Sequence, residues 1–141
     1  MKFFTEEERS GALDKAIIEL DKRAKFVEYK RGFNDCFAFL AYYDLCLRGR
    51  SRAWKAVIFD WKSTKEFQEK LYARGHTIKT YLEYCGYHIV KEQPILGDVA
   101  FLDGAMIYDG NFWVSTTETN RGVTELITTD PRRVHARPIR S

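Results

Sequence analysis

The feature that most limits how this chain can fold is a change of period at Gly86. Before it, apolar residues recur three and four apart, as on one face of a helix. After it, short runs rich in Val, Ile, Phe, Tyr and Trp are separated by turn signals, as in strands. Helices first and strands second is an α+β order, with helices packed on a mostly antiparallel sheet. With 141 residues, 45% of them hydrophobic, there is enough apolar material for one core. A single domain over residues 1–141 is expected.

The helical half carries its own start and stop signals. Thr5-Glu6-Glu7-Glu8 has the spacing of a capping box, so a first helix is expected from there to about Lys22, burying Leu13, Ala16, Ile17 and Leu20. Phe26 to Phe33 reads as a connector. Asn34 is the expected N-cap of a second helix beginning at Asp35 or Cys36, apolar on nearly all sides and ending at Arg48-Gly49. Residues 51–62 have no clear period and read as loop or irregular helix. Ser63-Thr64-Lys65-Glu66 is a second capping box, opening a short helix that stops at Gly75. Thr77 caps another, with Ile78, Tyr81, Leu82 and Cys85 on one face.

Six strands are expected in the second half, at 87–90, 98–102, 105–108, 111–115, 123–127 and 134–136. Asp109-Gly110 reads as a type I′ hairpin turn, whose central residues both need positive φ, and Asp103-Gly104 as a second turn.

Several function classes recede on composition. The net charge of +3 is too small to require a nucleic acid or an anionic membrane as partner. Much of the excess lies in Arg132, Arg133, Arg137 and Arg140, expected to form a basic tail or edge strand. No run of apolar residues is long enough for a membrane span, and Met1-Lys2-Phe3-Phe4 leads into acidic residues rather than a signal-peptide core. Three cysteines without a C-x-x-C pair suggest neither a disulfide framework nor a zinc site. No metal-ligand spacing and no Gly-rich phosphate loop occurs, so no metal or cofactor is expected.

What remains is a thiol. Cys36 falls in the first turn of the second helix, where free backbone N–H groups and the helix dipole favour thiolate over thiol. Cys46 and Cys85 lie at core positions. A nucleophilic thiol needs a base within hydrogen-bond reach, normally a histidine. The chain has three: His76 in a helix–helix turn, His88 in a short strand and His135 in the basic terminal segment.

The order Gly-x-x-Asp35-Cys36, then Pro94-Ile95-Leu96-Gly97-Asp98-Val99-Ala100-Phe101, then Met106-Ile107-Tyr108-Asp109-Gly110-Asn111-Phe112-Trp113-Val114-Ser115 resembles the papain-like cysteine peptidases of NlpC type. Within them it is most similar to small tail-associated proteins of bacteriophages and prophages. The resemblance covers about residues 26–127, between an N-terminal helix at 1–25 and a basic segment at 128–141. It implies a papain-like α+β fold, Cys36 as nucleophile and Asp98 as a structural acid. It sets the catalytic histidine at the start of the second core strand, where this chain has Asp103-Gly104-Ala105. The tyrosine that often precedes the Asp-Cys pair is most nearly matched by Phe26.

Asp103 is therefore a candidate base at the substituted place, and His88 an alternative one from a neighbouring strand. The resemblance, less its histidine, implies a structural or adaptor protein of a phage tail, made in the host cytoplasm and carried in the virion. Its partners would be other tail or virion proteins. The alternative is an active cysteine endopeptidase or amidase acting on the peptide cross-links of bacterial cell wall during entry.

Overall fold

The computed structural model describes residues 1–26, 35–50, 64–101, 104–117, 122–126 and 134–140. It has four helices among these residues: α1 (Glu6–Phe26), α2 (Cys36–Arg48), α3 (Thr64–Ala73) and α4 (Ile78–Tyr84). Six strands follow, β1 (Tyr87–Ile89), β2 (Val99–Phe101), β3 (Ala105–Tyr108), β4 (Trp113–Thr116), β5 (Val123–Leu126) and β6 (Val134–Pro138). The α+β order expected from the period change is the observed one. The expectations for residues 51–62 and for the capping residue Ser63 lie outside the described residues, whereas the expected cap Asn34 is replaced by Asp35.

The Thr5 capping box forms in both directions, with the Glu8 amide donating to the Thr5 hydroxyl and the Thr5 amide to the Glu8 carboxylate. α1 then continues one turn beyond Lys22, because Ala24 extends the buried row of Ala12, Leu13, Ala16 and Leu20. At the start of α2 the capping side chain is Asp35, whose Oδ1 accepts from the Ala38 amide at 2.8 Å. Asp35 is thus the cap itself, and Cys36 is the first helical residue. Thr77 caps α4 as its sequence suggests.

All strand pairs are antiparallel, in the order β1-β6-β2-β3-β4-β5. Alternation along the strands divides the sheet into two faces. Val99, Phe101, Ala105, Ile107, Val114 and Ala136 join the helices in the main core, while Ala100, Met106 and Trp113 form a second apolar cluster. The β3–β4 connection is a four-residue loop rather than a two-residue turn at Asp109-Gly110. The Asp109 carboxylate accepts from the amides of Asn111 and Phe112, which stabilises the wider loop and delays β4 to Trp113.

The basic C-terminal segment departs most from its sequence reading. β6 is neither a tail nor an edge: it lies between β1 and β2. Arg137 is turned onto the buried Asp98 in a two-pronged pair at 2.8 and 3.0 Å, and Arg140 pairs with Glu8. The N-terminus is joined to the same place by the Arg140 amide donating to the Lys2 carbonyl at 2.7 Å. These two arginines therefore serve the fold. Arg132 and Arg133 lie outside the described residues.

α2 is the beam on which the two halves meet. At about 1.5 Å per residue it is roughly 20 Å long. Its C-terminal end is fixed by Arg48, which donates to Asp44 at 2.7 Å and to the carbonyls of Gly86 and Ile139 at 2.8 Å each. Tyr87 donates to the same Asp44 oxygen at 2.9 Å. Near its middle, the Tyr43 hydroxyl donates to the Gly97 carbonyl at 2.7 Å, and Arg9 of α1 grips the adjacent Leu96 carbonyl at the same distance. Gly97 lies at φ +91°, and a methyl group there would stand 2.5 Å from Arg9 Cβ. Only glycine fits both the backbone and the space. With α2 fixed at its far end and middle, its N-terminus is held beneath the β2–β3 hairpin.

Candidate active site around Cys36

Cys36 opens α2 and is half-buried, packed against the main core. Its sulfur accepts a hydrogen bond from the Ala105 amide at 3.4 Å. Ala105 begins β3 and pairs with Phe101, so this amide lies at the end of the β2–β3 hairpin. The other side of the residue is held as well, since the Ser115 hydroxyl of β4 donates to the Ala105 carbonyl at 2.6 Å. Gly104, one residue earlier, has φ +147°, and a Cβ added there would lie 3.0 Å from the Cys36 sulfur. Of Asp103-Gly104-Ala105, the three residues at which the resemblance would set a histidine, the two described ones, Gly104 and Ala105, thus lie beside the thiol.

This arrangement has a definite chemical sense. The Ala105 N–H donates to the sulfur, and a donor stabilises a thiolate, as does the positive end of the α2 dipole. A donor cannot receive the thiol proton or return it to a leaving group, which is the work of a general base and acid. Gly104 and Ala105 bring neither an imidazole nor a carboxylate to the sulfur. Asp103, the candidate base at this place, lies outside the described residues.

The histidines stand elsewhere. His88 is exposed on the edge strand β1, between Tyr87 and Ile89, which face the main core. It therefore points to the face of the sheet opposite Cys36 and packs 6.1 Å from the Phe3 ring. His135 is on that same opposite face, paired across the sheet with Ala100 and 6.1 Å from the Trp113 ring. His76, between α3 and α4, approaches the Thr80 hydroxyl at 3.2 Å and packs 5.6 Å from the Tyr84 ring. The structure does not bring His88 to Cys36. Phe26 ends α1 with its ring exposed, and Cys46 and Cys85 are set among core residues.

Asp98 is held by a network of its own. Fully buried at the approach to β2, it accepts both prongs of Arg137 and the Ile95 amide at 3.0 Å, while His135 Nε2 stands 3.6 Å away. These contacts fix where β2 begins. The hydrogen bonds to Asp98 also hold the Arg137 guanidinium pKa above its ordinary value. Sequence reading did not pick out the Ala105 amide, for which a side-chain pattern has no sign. Ser115 was visible only as the closing residue of a family motif.

Among the described residues, no helix is long and apolar enough to cross a membrane, and no group of His, Cys, Asp and Glu is arranged to hold a metal ion. Comparisons with protein-family models, curated proteins and solved structures give no match to this chain.

Proposed function

We propose that the chain is a structural or adaptor protein of a bacteriophage tail, built on a papain-like domain that keeps the thiol and lacks the histidine that the resemblance sets beside it. The observation that carries this reading is the main chain of Gly104 and Ala105 against the Cys36 sulfur, at the place where the family resemblance calls for histidine. Loss of one member of a catalytic unit costs several powers of ten in rate, so a chain without that histidine is suited to another use. Exposed aromatic rings at Phe26, Tyr72, Tyr84 and Phe112 are the type of side chain that anchors protein contacts. The partners would be other tail or virion proteins, and the place of work the virion. Co-purification with tail-tip or hub proteins of the same phage tests the reading. A chain that stays monomeric beside all of them contradicts it.

One observation favours the second reading, a cysteine endopeptidase or amidase acting on cell-wall peptides. The Cys36 sulfur sits at a helix N-terminus and accepts an amide N–H, both of which favour the nucleophilic thiolate. On that reading the base comes from outside the Gly104–Ala105 main chain, with Asp103 the candidate next in sequence. Release of cross-link peptides from purified peptidoglycan, abolished by Cys36→Ala, is the result it requires.

A further inference from the structure

We draw no further inference here: the strongest candidate, the exposed aromatic face of the α3–α4 hairpin at Tyr72 and Tyr84, is an unpartnered apolar surface, and nothing in the structure shows what covers it.

Discussion

The Ala105 amide donates a hydrogen bond to the Cys36 sulfur at 3.4 Å, across 69 residues of sequence. It joins the first residue of α2 to the first residue of β3. The sulfur takes a donor from the hairpin, beside the place where the proposed family resemblance sets a histidine.

The three thiols should differ sharply in reactivity. Cys36 is half-buried at the helix N-terminus, burial pushes the Cys46 thiol pKa up, and Cys85 is buried in the core. Iodoacetamide at neutral pH should label Cys36 first, Cys46 more slowly, and Cys85 only once the protein is unfolded. Peptide mass spectrometry over a time course reads the order. Equal labelling of Cys46 and Cys36 would show that helix terminus and amide donor do not activate the thiol.

Two glycine-to-alanine changes should act in opposite directions. At Gly97, alanine meets Arg9 Cβ and the Tyr43 hydroxyl and adopts a left-handed backbone, so a loss of about 2–4 kcal/mol is expected. Gly11 lies exposed within α1 with nothing near its missing side chain, and alanine there should add about 0.5–1 kcal/mol. Urea unfolding midpoints measure both. A Gly97→Ala protein as stable as the parent would mean that the Arg9–Tyr43 clamp on this turn is loose.

The Arg48 cluster gives a graded test of how α2 is fixed. Tyr87→Phe removes one hydrogen bond to the Asp44 carboxylate, at a cost of about 1.5–3 kcal/mol. Asp44→Ala leaves the buried Arg48 guanidinium without its carboxylate and should cost about 3–5 kcal/mol. If the two changes were equally mild, Arg48 would be held by the Gly86 and Ile139 carbonyls alone.

Alkaline pH should unfold the protein through its buried phenols. Burial holds Tyr43, Tyr81 and Tyr87 well above the ordinary tyrosine pKa. The unfolded chain releases these protons near pH 10 while the folded chain retains them. Their effect on stability is therefore absent below about pH 10, and above it each lowers stability by about 1.4 kcal/mol per pH unit. Unfolding midpoints measured across that range should fall, and fall less steeply in Tyr87→Phe. Tyrosinate absorbance that developed fully without unfolding would show these rings open to solvent.

What could be read from the sequence was local. The Thr5 box, the Thr77 cap, the stop at Gly49 and the change of period at Gly86 each depend on residues a few positions apart, and each appears in the structure. The cap of α2 shifted by one residue because Asn and Asp are equally good caps, and spacing alone does not choose between Asn34 and Asp35. The insertion of β6 between β1 and β2 was hidden, since its arginines look like a solvated tail until Asp98 and Glu8 supply their partners. At the site, Cys36 could be found from its place before an apolar run. The hand that reaches it from β3 is a backbone amide, which any residue but proline would supply.

The proposed reading, a structural tail protein rather than a peptidase, is tested most directly by release of soluble peptides from purified cell-wall peptidoglycan. The protein and its Cys36→Ala variant are compared at neutral pH, with folding of both checked by circular dichroism. No release above the protein-free control from either protein is the predicted result. Release by the parent chain that disappears in Cys36→Ala would contradict the account and establish an active cysteine peptidase or amidase.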